Sequence, residues 1–299
     1  MPFWSRKTEQ VPDWAEAMGE RGLQGFYQLV GAELSRRGLS YKLGDGVALV
    51  GDPPTTCGLM NLAQVCQQTP GGEWAALITA HFDKLLNQPD VDALAADFEK
   101  VRSLIKVRLF PADYASQLQL VARPLAESVV AALVYDLPQS IATMHSGHPA
   151  RLGKSADELF ELGYANVREQ DRPQVDDVDL GPAGKLRVLA GDSFFTATHA
   201  LWIDAYLAPP AEHGALVAIP HRHVVIAYAI RNREVVKAVN TMIPLARKQF
   251  SQGPGSISPE LYWWRAGSLV RLPSELQGPS IHFFPPEDFA QLVNRLAPA

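Results

Sequence analysis

The stretch Gly184–Ile230, GKLRVLAGDSFFTATHALWIDAYLAPPAEHGALVAIPHRHVVIAYAI, decides how the chain is read. Leu186, Val188 and Leu189 make a short apolar strand. Gly191-Asp192-Ser193 breaks it with the kind of turn that opens a helix, because an Asp or Ser side chain there accepts from the first free amides. Phe194, Ala197, Leu201 and Ala205, together with Phe195, Thr198 and Trp202, then recur at helical spacing. This predicts a helix over 193–207 that lies on a sheet and ends before Pro209-Pro210. The runs 215–219 and 224–230 are too apolar and too short for anything but buried strands. With Pro220-His221-Arg222 between them they predict a hairpin.

Upstream, Leu23, Phe26, Tyr27, Val30 and Leu34 fall on one helical face, and Gly38 is placed to end that helix. Two short apolar runs flank Gly44-Asp45-Gly46, a strong hairpin-turn signal. The run 59–65 is apolar and ambiguous, while Trp74, Leu77, Ile78, Phe82, Leu85 and Leu86 predict another helix. Residues 1–12 are a polar lead with Trp4 as a candidate anchor. Ile105–Phe110 reads as a strand stopped by Pro111; Val129–Asp136 and Ser140–Met144 read as two strands about Pro138. Residues 145–153 read as a Gly/Pro loop, after which Ser155 and Glu158 form a capping-box pattern opening a helix to about Val167.

Downstream, a helix over 234–250 carries Pro244 and is expected to kink there. An aromatic, partly extended segment covers 261–272, a strand lies at 281–284, and Pro286 begins a closing helix. The expected class is α/β (α+β), with a mixed or antiparallel sheet and helices packed on it. ALVYDLPQSIATM and ALVAIPHRHVVIAYAI, each followed by a helix, echo one another as strand-turn-strand-helix units. Two regions are expected, 1–95 (α+β) and 101–299 (α/β), joined by a polar connection over 87–100.

With 47% hydrophobic and 20% charged residues in 299, the composition is that of a globular protein, and a net charge of −5 argues against nucleic acid as partner. Apolar runs such as Val129–Tyr135 fall far short of the roughly 18 residues of a membrane span, so no membrane insertion is expected. The N-terminus lacks a signal-peptide pattern and the chain has 2 cysteines, Cys57 and Cys66, so a cytoplasmic location with reduced thiols is expected. No motif requires a cofactor.

The runs VRSLIKVRLFP, VVAALVYDLPQSIATM followed by SADELFELGYANV, GDSFFTATHALWID, and GALVAIPHRHVVIAYA, in that order and spacing, resemble the YtpQ-like family of bacterial proteins of unknown function. The resemblance covers roughly residues 101–275 and implies a cytoplasmic bacterial α/β protein, without implying an activity or catalytic residues.

Among chemistry-bearing residues, Asp192, Ser193 and His199 share one segment at a strand-to-helix turn, where a nucleophilic Ser can be exposed. A Gly-x-Ser-x-Gly elbow would need glycine at 195, and Phe195 stands there. His221 and His223 alternate with Arg222, which on an extended chain puts both imidazoles on one face as a candidate metal pair. A third ligand must then come from elsewhere, with His199 as first choice. Asp136, at a strand end, is a weaker candidate acid. Tyr262, Trp263 and Trp264 are candidates for an aromatic binding platform. Arg231 and Arg233, with Lys237, Arg247 and Lys248, are candidates for a basic patch. Because no catalytic constellation is complete, the expected function is a non-catalytic interaction or accessory protein with a protein partner. The alternative is a hydrolase or metal-dependent enzyme centred on Asp192, Ser193, His199, His221 and His223.

Overall fold

The computed structural model describes residues 11–12, 15, 18–44, 46–52, 54–86, 91–117, 120–138, 140–278 and 280–298; Trp4 and Asp45 lie outside the described residues. The chain divides into two compact units, Met1–Leu86 and Asn87–Ala299.

In the first unit, α1 (Gly19–Arg36) buries Phe26, Val30 and Leu34, as the spacing requires, and Gly38 follows it with φ of 69°, where a side chain would be strained. The expected hairpin forms from β1 (Tyr41–Gly44) and β2 (Val47–Val50), and β3 (Thr55–Gly58), not anticipated from the sequence, extends it to three antiparallel strands. The ambiguous run is helical, α2 (Met60–Gln67), and packs with α3 (Trp74–Leu86) around Ile78 and Phe82. Cys57 and Cys66 are both buried free thiols, and burial pushes each up to about 11.

The second unit opens with the short turns α4 (Val91–Leu94) and α5 (Phe98–Val101), followed by β4 (Ile105–Pro111), α6 (Ala112–Gln117), β5 (Ala122–Ala126), β6 (Val129–Leu137) and β7 (Ser140–Thr143). β6 pairs with β4 along one edge and with β5 and β7 in succession along the other, all antiparallel. After the single turn α7 (His148–Arg151) comes α8 (Ala156–Gln170), opened by the Ser155/Glu158 capping box that the sequence predicts.

Then follow β8 (Gln174–Asp179), β9 (Lys185–Ala190), β10 (Ala215–His221), β11 (Val224–Ala229), α9 (Val235–Gln252), β12 (Leu261–Arg265) and β13 (Ser268–Leu272). These strands form a six-stranded sheet in the order β13-β12-β10-β11-β9-β8, every ladder antiparallel. A β14 (Ser274–Gln277) and β15 (Ser280–Phe283) ribbon leads to α10 (Glu287–Arg295). α9 continues through Pro244.

Strand alternation divides the core. Val217, Ile219, Val225, Tyr262 and Trp264 of the six-stranded sheet share one cluster with Val107, Leu109, Leu133 and Tyr135 of the four-stranded sheet. Leu216, Ala218, Ile226, Tyr228 and Trp263 point the other way, under α9 and α10. The strand-turn-strand-helix echo is therefore local in character: β6 carries three partners in its own sheet, whereas β10 lies between β11 and β12.

The free edge of β4 is closed by side chains instead of a strand. Asn166 of α8 donates to the carbonyls of Ile105 at 2.8 Å and Arg102 at 2.7 Å, and the Thr198 hydroxyl donates to that of Val107 at 3.0 Å. Gly163 permits the approach, because a Cβ there would stand 2.9 Å from Val107 Cγ2.

The expected regular helix over 193–207 is corrected. The chain forms 3-10 turns over Thr196–Tyr206, interrupted at Trp202 (φ −127°, ψ 44°). Thr196 to Ala200 are buried without a break while Asp204 and Ala205 are exposed, so the first half of the segment is enclosed and burial follows no single helical stripe. Its polar groups bond to neighbours across the fold, as Thr198 does to β4, instead of facing solvent from one side of a helix.

Candidate functional site

The strand-to-turn junction after β9 does bring polar side chains together, but in a different combination from the one its sequence suggests. His199 is 1% exposed and its Nε2 lies 2.9 Å from Oδ2 of Asp171, the residue that ends α8. Its Nδ1 receives the Trp202 indole N–H at 3.1 Å and lies 2.5 Å from the Tyr206 hydroxyl. Since an indole N–H only donates, Nδ1 is unprotonated and Nε2–H donates to Asp171. Burial alone would raise the Asp171 carboxyl, yet hydrogen bonds from His199 and Ser193 and the nearby Lys106 charge hold it below the usual carboxylate range.

Ser193 thus leans on the carboxylate, and its Oγ also accepts the Phe195 N–H at 3.1 Å. Asp192 is exposed on the rim. The three residues do not form a nucleophile-base-orienter relay: the hydroxyl that meets His199 is that of Tyr206, and the carboxylate is Asp171.

His221 and His223 do lie near each other, with ring centroids 6.2 Å apart. His221 Nδ1 accepts the His223 backbone N–H at 3.3 Å, and Nε2–H points to Gln249 Oε1 at 3.4 Å. His223 donates from Nδ1 to the Gly191 carbonyl at 2.9 Å and accepts Arg222 Nε–H on Nε2 at 2.8 Å. Each ring thus has one nitrogen accepting and one donating, and His199 is engaged elsewhere. Among the described residues no three His, Cys, Asp or Glu side chains are grouped as a metal would need. Burial pushes His221 down to about 4, and burial with the Arg222 charge lowers His223.

The aromatic run is core on both faces of its sheet, which corrects its reading as an exposed platform. Tyr262, Trp263 and Trp264 are 0%, 4% and 8% exposed, because alternation on a central strand sends each ring into one of the two packed layers. The Tyr262 hydroxyl meets Ser128 and Ser258 Oγ at 2.7 and 2.6 Å, and the two indole N–H groups donate to carbonyls of His213 and Leu201. Arg231 donates to the Pro209 and Pro210 carbonyls, and Arg233 to those of Asn294 in the last turn of α10 and Leu296 just after it, so both hold backbone together. Asp136 is the counterion of Lys106 at 2.6 Å.

Spacing arguments passed over two arginines. Arg108 on β4 and Arg222 in the β10–β11 turn approach the same ring, Phe194, with guanidinium carbons 5.7 and 4.6 Å from its centroid. Arg108 also lies over Phe110 at 4.5 Å. It is 7% exposed and its Nε is buried without a hydrogen-bond partner. Burial pulls Arg108 down to about 10; burial and then the Arg108 charge pull Arg222 down to about 9. A signal did exist: Lys106 and Arg108 are charges two residues apart in the otherwise apolar IKVRLF, on one face of a strand.

Together these features define a wholly antiparallel α+β protein with a buried Asp171-His199 pair met by the half-buried Tyr206, and a largely buried cationic cluster. No family model matches this chain, and neither a curated protein nor a solved structure matches it. Among the described residues, no helix is long and apolar enough to cross a membrane.

Proposed function

We propose that the chain is a non-catalytic interaction protein that takes up an extended segment of a protein partner along β8. The observation that carries this reading is the contrast between two strand edges. The edge of β4 is closed by Asn166 and Thr198, whereas β8 is the outermost strand of the six-stranded sheet and all six of its residues are exposed. An open edge offers unpaired N–H and C=O groups to an added strand. Asp176, Asp177 and Asp179 line it, repelling a second copy of the same edge and favouring a basic segment. On the motif order of residues 101–275, the same reading takes the chain as a bacterial, cytoplasmic member of the YtpQ-like family.

The test is to isolate the tagged chain with its partner from cells that carry it, then rebuild the complex from purified components. The expected result is a stoichiometric complex that Asp176→Lys weakens and high salt loosens. A complex indifferent to β8 substitutions would overturn the reading. The enzyme alternative is favoured by one observation, the Tyr206 hydroxyl on a His199 ring oriented by Asp171. Turnover of any ester or phosphoester substrate that Tyr206→Phe abolishes, while the fold is retained, would put it first.

A further inference from the structure

Arg108 lies on the face of β4 and β6 that also carries the Lys106–Asp136 ion pair, beside the apolar Phe110, Val130, Ala132 and Val134. Its cross-strand neighbour is Ala132, and the next residue in that row is Ala122, so Arg108 is the one long side chain in its row. Arg222 is held in the β10–β11 turn against Gly255. Its backbone N–H donates to the Gly255 carbonyl at 3.1 Å, and its side chain lies so close to Gly255 that a Cβ there would stand 2.9 Å from Arg222 Cδ. Both guanidinium carbons lie within cation–π reach of the Phe194 ring, at 5.7 and 4.6 Å from its centroid.

Lys106, one strand position pair away, has Asp136, but among the described residues neither Arg108 nor Arg222 is in an ion pair. Arg222 spends its Nε on a neutral imidazole, and the Arg108 Nε has no acceptor. Holding the buried Arg108 and the half-buried Arg222 together without a counterion is costly, and removing charge from water is tolerated when an anion completes the pair.

We propose that Arg108 and Arg222 form a binding site for a phosphate group, free or carried as a monoester. A guanidinium edge matches phosphate oxygens in bidentate fashion. Two unpaired cations match the roughly −1.5 to −2 charge of a phosphate monoester better than the single charge of a carboxylate. The site goes beyond the partner reading above and lies on different elements from β8, so either stands without the other.

The full chain is titrated calorimetrically with inorganic phosphate and with phenyl phosphate at low, matched ionic strength, with acetate as the monoanion control. Both phosphates are expected to bind and acetate not to. Tighter binding of phenyl phosphate identifies an ester as the ligand; equal binding identifies free phosphate. Arg222→Gln should weaken phosphate at least about tenfold, the loss expected for a charge-assisted hydrogen bond. Arg108→Met should abolish the response and, in phosphate-free buffer, melt no lower than the parent, because it removes an unpaired buried charge without removing volume. If Arg108→Met fails to fold, the buried guanidinium is structural and the site is overturned. Phosphate binding that survives Arg222→Gln, or no phosphate binding by the parent chain, overturns it equally.

Discussion

Acidification should destabilise this protein from an unusually high pH, and His221 is the main reason. Its ring is 8% exposed and lies against Gly253, where even a Cβ would stand 1.9 Å from Cδ2. Nδ1 already accepts the His223 backbone N–H, so a proton added there would set donor against donor. Burial, with the Arg222 cation beside it, brings its pKa down to about 4. In the unfolded chain the imidazole titrates near 6.5. The unfolded state therefore binds a proton that the folded state refuses: the stabilising contribution is complete above pH 6.5 and is lost as pH falls toward 4. At about 1.4 kcal/mol per pH unit the loss is about 2 kcal/mol between pH 6.5 and 5, a window in which carboxylates contribute little. Urea denaturation of the parent chain and of His221→Gln, followed by circular dichroism at half-unit pH steps, isolates the effect. The variant should show the shallower fall, retaining the shares of His223 and His81, whose pKa values are also lowered by burial. Parallel curves for the two proteins would refute the argument.

Other substitutions test the packing. Trp202→Ala should cost about 3–5 kcal/mol, chiefly as a cavity, because the Tyr206 hydroxyl remains to serve His199 Nδ1; a loss below about 1 kcal/mol in denaturant melts would show that the indole is not a core anchor. Asn166→Ala should cost about 1–3 kcal/mol by leaving the Ile105 carbonyl without its donor, and hydrogen exchange along β4 should quicken; unchanged exchange would mean that this edge is protected by other contacts. Gly163→Ala should cost about 1–3 kcal/mol through its clash with Val107 and the backbone of Lys106, and a thermal melt matching the parent would show that α8 can shift away from β4.

What the sequence by itself determined is whatever depends on neighbours a few residues apart. The hairpins at 41–50, 129–143 and 215–229, the capping box at Ser155 and the amphipathic face of α1 follow from periods of two and 3.6 and from local turn chemistry. The 3-10 course of 196–206 did not, since the spacing of its apolar residues fits a helix and only the enclosure of Thr196–Ala200 among β4, β9, β10 and β11 rejects one. Short, exposed β8 gave no apolar alternation to read.

The site was least legible. His199 was visible, but the acid that meets it, Asp171, is 28 residues away and ends a different helix. Arg108 lies on a strand of one sheet and Arg222 in a turn of the other, and in the sequence each is an ordinary charge, one between apolar residues and one between two histidines. Only the tertiary structure brings both onto Phe194 and, among the described residues, pairs neither with a carboxylate. The physical reason is that a charge is costly or harmless according to what surrounds it in space. Dehydration and the absence of a partner are properties of the folded interior, and no local spacing of residues encodes them.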